Sequence, residues 1–241
     1  MLDNYRTAHE QREACTGHHL KLTGAILPIM QAAQHVLEIG PGRASFARQV
    51  LRGKRVTFVE PYQPAADAIE AEREAAWHVY RQDVRDGLPC GTYDVIYASH
   101  VIEHLDGNAL RQFLADADAA LEPGGYLILA APLLWAHFYC DITHKSPWMP
   151  HTIVRNMCGG FGDMSSAPVS ARYKPVIDIM GYEEDYTTDK REQVYVTWER
   201  PYLAARWWVL DYALSVGRRV LHWCGLRLVR RNSWLLVLRK Q

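Results

Sequence analysis

The segment Val36-Leu37-Glu38-Ile39-Gly40-Pro41-Gly42-Arg43-Ala44 sets an apolar strand directly against a glycine turn, with a carboxylate two residues before the first glycine. Few folds accommodate that order. In open α/β sheets such a turn stands at the carboxyl end of a strand, where ligands bind. Gly40 and Gly42 let the backbone bend tightly around Pro41 and approach a ligand with no β-carbon in the way. A dinucleotide site asks for a third glycine in the pattern G-x-G-x-x-G, and Ser45 stands there. The carboxylate of Glu38 would repel pyrophosphate and suits a cationic ligand.

Three later segments fit that start. Arg55 to Glu60 reads as a second strand whose final acid, followed by Pro61, lies about 20 residues past the glycines, the spacing at which a carboxylate takes ribose hydroxyls. A helix is expected around Ala65 to Glu74. The short strand Trp77 to Arg81 then runs into Gln82-Asp83-Val84, a carboxamide, a carboxylate and an apolar side chain suited to an adenine ring. Tyr93 to Ala98 reads as a buried strand, followed by Ser99-His100-Val101-Ile102-Glu103-His104-Leu105. A helix with Leu110, Phe113, Leu114, Ala117 and Leu121 on one face precedes Glu122-Pro123-Gly124-Gly125-Tyr126, where proline ends the helix and two glycines reverse the chain into a fifth strand.

In this order of parts, residues 30 to 131 resemble the class I S-adenosylmethionine-dependent methyltransferases, particularly the small-molecule group called type 11 or type 23. One departure is Ala44 at the third small position of the glycine loop. The resemblance implies an α/β fold with a doubly wound, mostly parallel seven-stranded sheet, Rossmann-like in its winding. It also implies S-adenosylmethionine as cofactor, on Glu38, Gly40, Pro41, Gly42, Glu60, Pro61, Asp83, Val84, Ser99 and His100.

Composition narrows the partners. Twenty-seven Lys and Arg balance 27 Asp and Glu, so no basic surface favours nucleic acid. The fourth strand also lacks the Asn/Asp-Pro-Pro-aromatic turn of base-amino methylases. The first residues show no basic region before an apolar run, so no signal peptide is expected. Five cysteines without C-x-x-C spacing suit reduced thiols, and a cytoplasmic location is expected. At 241 residues a single domain is the simplest count.

After the fifth strand, residues 132 to 160 gather Trp135, His137, Phe138, Tyr139, His144, Trp148 and His151. Leaving the carboxyl edge of the sheet, this stretch is placed to build an acceptor pocket, continuing to about residue 200. Asp141-Ile142-Thr143-His144, with Pro147 and Pro150 before a helix expected over His151 to Cys158, is similar to methyltransferases of surface polysaccharide and secondary metabolite pathways. For a hydroxyl acceptor a histidine near neutrality is the usual base. His144 is the first choice, with Asp141 orienting it or binding the acceptor, and His100 and His104 are the other candidates. If Ser99 to Leu105 forms a helical turn, His100, Glu103 and His104 share one face, and His144 completes four ligands for a divalent metal. That alternative is less favoured than a metal-free site. A Glu-x-x-Glu-His pattern in some quinone-pathway methyltransferases is similar, but His100 replaces its first acid.

The charged run Glu183 to Glu192 reads as a solvated loop before a strand-like Gln193 to Trp198, and Asn232 to Leu238 reads as the last strand. Tyr202 to Arg231, where tryptophans mingle with arginines, reads as an inserted C-terminal helical segment. It is suited to packing, to a homodimer contact or to peripheral contact with the inner membrane face. Together these readings describe an O-methyltransferase acting on a hydroxylated small molecule, most simply a sugar of a surface glycan or glycolipid intermediate. The alternatives are a quinone, phenol or other small-metabolite acceptor, and a catalytically silent binding subunit.

Overall fold

A computed structural model of the chain describes residues 20–42, 50–72, 74–134, 138–159, 167–182, 194–197, 226–229 and 231–241. They fall into two compact units, one of Met1–Ile179 with Ser233–Gln241 and the other of Met180–Asn232. The sequence suggests one domain with an insertion, and the whole span of that insertion, 202–231, falls within the second unit.

The first unit is an α/β sheet. Helix α1 (Leu20–Ala32) leads into β1 (His35–Ile39); β2 (Arg55–Val59), α2 (Gln63–Glu72), β3 (Trp77–Tyr80) and β4 (Tyr93–Ser99) follow. Then come α3 (Gly107–Ala120), β5 (Leu121–Pro132), α4 (Pro150–Met157) and β6 (Tyr173–Tyr182). Strands β7 (Val194–Thr197) and β8 (Leu226–Val229) form a separate parallel pair, and β9 (Arg231–Lys240) returns to the main sheet. The seven-stranded order is β3-β2-β1-β4-β5-β9-β6. The first five strands run parallel, and β9 is antiparallel to β5. This is the doubly wound, mostly parallel sheet expected from the sequence.

Every residue of β1 is buried, as a central parallel strand covered on both faces requires. Its neighbours are β2 on one side and β4 on the other, so the strand order reverses there. A crevice opens at the carboxyl ends of strands at such a reversal. The start of β1 is fixed from β4, because Asp94 Oδ2 accepts the amides of Gln34 and His35. Beneath the sheet, Ile26 and Met30 of α1 pack with Val36, Phe58, Trp77 and Val237, and the Phe58 and Trp77 rings meet edge to face at 5.3 Å.

Helix α3 begins where Asp106 accepts the amides of Asn108 and Ala109, both at 3.0 Å. It buries the expected Leu110, Phe113, Leu114 and Ala117. The expected reversal at Gly124-Gly125 takes the form of a bulge inside β5. Tyr93 pairs with Leu121 and Val95 with Tyr126, so Asp94 alone faces Glu122 to Gly125. A β-carbon at Gly125 would lie 2.7 Å from the Asp94 carbonyl and 3.0 Å from that of Glu122, so glycine is required. Helix α2 starts and ends two residues before the expected span, and α4 runs one residue ahead of its own.

Leu226–Val229, inside the segment expected to be helical, is a strand paired with β7. The alternating apolar residues of Leu226-Arg227-Leu228-Val229 suit a strand better than a helix face. Of the rest of the amphipathic span, Arg231 opens β9, while residues 202–225 and 230, like the charged run 183–192, lie outside the described residues.

Candidate active site

Gly40 follows β1 with φ +62°, and its amide donates to the Val59 carbonyl at 2.9 Å, tying the turn to β2. Gly42 has φ +58°. A β-carbon on Gly40 would fall 2.6 Å from Cγ2 of Val101. Glycine here is thus required by the left-handed backbone and by the segment after β4 closing over the turn.

Glu38 is buried at the tip of β1, directly across from Tyr97 of β4. Burial and the charge of Glu38 together push the Tyr97 phenol far above its usual range, so it remains a neutral hydroxyl. Sequence reading missed Tyr97 because it looks like one more apolar residue of a buried strand. Glu60 is also buried, and its two oxygens accept the amides of Gly42 at 2.8 Å and Tyr62 at 2.9 Å. The second-strand acid therefore shapes the glycine turn itself. Its oxygens keep further lone pairs beyond these bonds.

Asp83 accepts the Arg85 amide and grips the Arg85 guanidinium through Nε at 2.8 Å and NH2 at 2.6 Å. The Arg85 hydrogen bonds hold its carboxyl below the ordinary range. Val84 is buried beside it, whereas Pro61 is exposed and Pro41 half-buried. Ser99 ends β4 opposite Ala130. His100 then adopts φ +56°, rare for a residue with a β-carbon, with its amide donated to the Ala130 carbonyl. This kink turns Val101 onto Gly40.

A short 3-10 turn, Ile102–His104, follows instead of an α-helical one. Its Glu103 carbonyl accepts the amides of Lys145 at 2.8 Å and Ser146 at 3.2 Å, docking the segment after β5 onto the turn. His104 and His144 thereby come together with ring centroids 4.9 Å apart. Thr143 Oγ1 donates to Asp141 Oδ1 at 2.6 Å and lies 2.9 Å from His104 Nδ1. With the hydroxyl proton used on Asp141, His104 Nδ1–H is the donor of that second bond, and its Nε2 keeps a lone pair. His144 Nδ1 lies 2.6 Å from the Phe138 carbonyl, which can only accept, so His144 also carries its proton on Nδ1. Asp141 Oδ2 is 3.8 Å from His144 Nε2. The Thr143 side-chain and backbone hydrogen bonds hold Asp141 below the usual carboxylate range.

The four expected metal ligands do not converge as a set. Donor atoms of Glu103, His104 and His144 lie within 4.8 Å of one another, and His100 is outside that group. His100 Nδ1 instead reaches Glu103 Oε1 at 3.2 Å. Its left-handed conformation ahead of a 3-10 turn removes the α-helical spacing that the expectation assumed. Thr143, which links His104 to Asp141, was not singled out, since a threonine between an acid and a histidine carries no signal of its own. Trp135 and His137 lie outside the described residues.

The sequence matches the family model described as a methyltransferase domain over residues 7–155. No curated protein matches it. Similar solved structures include an S-adenosylmethionine-dependent methyltransferase from Archaeoglobus fulgidus, 18% identical, covering 98% of this chain and 94% of that one at TM-score 0.56. Another is the N-methyltransferase NodS from Bradyrhizobium japonicum WM9 in complex with S-adenosyl-L-homocysteine. It is 14% identical, with 98% of each chain covered at TM-score 0.57. TehB from Haemophilus influenzae is 13% identical over 95% of this chain and 64% of that one, at TM-score 0.58. At these identities the likeness is one of fold.

Proposed function

The chain belongs to the methyltransferase-domain family and is an S-adenosylmethionine-dependent methyltransferase, and we propose that its acceptor is the hydroxyl of a small molecule, a sugar of a surface glycan or glycolipid intermediate. The observation that carries the hydroxyl reading is the cluster of His104, Asp141, Thr143 and His144, where both imidazoles hold their protons on Nδ1 beside an ionised carboxylate. A hydroxyl must lose a proton during attack, and this cluster can receive one. A nitrogen acceptor, named for NodS, has less need of it.

In this reading the cofactor lies along the carboxyl ends of β1, β2 and β4. The sulfonium and amino group face the Glu38 side, and the ribose faces Glu60. The acceptor enters from the segment after β5. Its oxygen lone pair forms the new O–C bond as the methyl carbon leaves sulfur, whose bonding pair stays behind as a thioether. The hydroxyl proton passes to the histidine–aspartate cluster. Most of the rate comes from holding oxygen, carbon and sulfur in line.

Calorimetry with S-adenosyl-L-homocysteine should give a Kd in the micromolar range, roughly 7 to 9 kcal/mol. Gly40→Val should abolish binding while the protein stays folded. A folded wild-type protein that ignores the ligand, or prefers NAD, would overturn the assignment. With a hydroxylated acceptor in hand, His144→Ala should lower turnover by roughly 100-fold with cofactor affinity nearly unchanged. Full turnover by that variant would remove the cluster from the reaction.

A further inference from the structure

The geometry points to a divalent transition-metal site made by Glu103, His104 and His144, next to the acceptor position. It rests on the reading of that cluster as the acceptor side of the site. One donor atom from each of the three side chains lies within 4.8 Å of the others, so a small closure of the side chains would bring them to bonds of about 2.0 to 2.2 Å.

Glu103 supplies an independent reason. It is fully buried, and neither of its carboxylate oxygens has a hydrogen-bond partner. A buried anion without such partners is costly and calls for a cation. His100 Nδ1 stands 3.2 Å from Glu103 Oε1 without forming a hydrogen bond to it, and its side chain is 40% exposed. A metal ion between Glu103 and the two imidazoles supplies that charge inside the cluster.

The two histidines are held as metal ligands usually are. A ligating imidazole gives its other N–H to a carbonyl or carboxylate, which fixes the tautomer and raises the basicity of the ligating nitrogen. His144 gives Nδ1–H to the Phe138 carbonyl. His104 gives Nδ1–H to Thr143, whose hydroxyl is in turn bonded to Asp141. Both Nε2 lone pairs are left for an ion. Two neutral imidazoles with one carboxylate select zinc or a neighbouring transition ion over magnesium or calcium, which prefer oxygen throughout. Three protein ligands leave a position open for the acceptor oxygen. Coordination there weakens the O–H bond, and Asp141 Oδ2, 3.8 Å from His144, takes the proton and passes it to water.

The test is titration of chelator-treated protein with zinc sulfate by calorimetry, with melting temperature read in parallel and elemental analysis of the untreated protein. The expected result is one zinc per chain, a Kd on the order of 1 µM or tighter, and a melting temperature that rises with the ion. His104→Ala and His144→Ala should each lose at least about 100-fold in zinc affinity. Thr143→Val should lose about 10- to 100-fold, with Thr143→Ser restoring most of it. Glu103→Gln alters a fully buried group and so tests fold together with metal, which leaves the decision to the histidine variants. Absence of zinc binding by a folded wild-type protein, or equal binding by the His104 and His144 variants, overturns the site. S-adenosyl-L-homocysteine binding on the same samples separates the two readings. Cofactor binding without zinc binding overturns the metal alone, and zinc binding without cofactor binding overturns the methyl-transfer reading.

Discussion

At the scale of single residues, Asp118 of α3 is a buried carboxylate faced by two cations, with Oδ1 accepting no hydrogen bond. Arg172 NH2 lies 2.6 Å from Asp118 Oδ2, and Lys240 Nζ lies 3.6 Å from Oδ1. Lys240 is itself buried and donates to the carbonyls of Asp118 and Leu121 at the end of α3. Burial pushes the Asp118 carboxyl up, but the Arg172 bond and the Lys240 charge outweigh it and hold the group below its ordinary range. Because the folded value is the lower one, this carboxylate stabilises the fold above its unfolded value near pH 4, and the contribution fades as pH falls through the folded value. Asp118→Asn should therefore lower the melting temperature at neutral pH, with the gap to wild type closing under acid. A gap that stayed constant down to about pH 3 would show that the charge plays no part. Lys240→Met leaves two carbonyls without a donor and should cost about 1 to 3 kcal/mol in urea unfolding.

At the scale of elements, the proposed acceptor side depends on contacts that join distant stretches of chain. Trp148 Nε1 donates to the Leu105 carbonyl at 3.1 Å, and the Trp148 carbonyl accepts from Trp234 Nε1 of β9 at 2.8 Å. The segment carrying His144 is thus pinned to the turn carrying His104 on one side and to the sheet on the other. Trp148→Phe keeps most of the ring and removes the donor. It should lower kcat/KM about 10-fold through misplacement of the acceptor, with cofactor affinity unchanged. A matching loss of cofactor affinity would mean that the pin supports the whole edge of the sheet. The glycine turn was legible in the sequence because Glu38, Gly40 and Gly42 are neighbours in the chain and their geometry is local. The meeting of His104 with Thr143 and His144 was not, because it depends on two amides landing on one Glu103 carbonyl, and no spacing encodes that. The helical-face expectation for His100 failed for a related reason. A left-handed residue before a 3-10 turn is set by packing of Val101 on Gly40, which a one-strand pattern does not reveal.

At the scale of the whole molecule, the order β3-β2-β1-β4-β5-β9-β6 brings the Glu38 turn, the Glu60 tip and the His100 kink to the same carboxyl edge. In the proposed site a ligand would draw on residues from three parallel strands and would need β1, β2 and β4 in register to bind. That makes folding and cofactor binding linked equilibria. At a concentration about 100 times its Kd, S-adenosyl-L-homocysteine should stabilise the folded state by about 2.7 kcal/mol. For a chain of this size that corresponds to a rise in melting temperature of roughly 5 to 10 °C. Gly40→Val should lose the shift, since its side chain must push Val101 away from the turn. Gly53→Ala, at a turn before β2 with open space around its β-carbon, should keep the shift even if its strained φ of +76° lowers the starting temperature. The comparison separates loss of the ligand edge from loss of general stability. If both variants lost the shift equally, the coupling would belong to the sheet as a whole and not to the turn that ends β1.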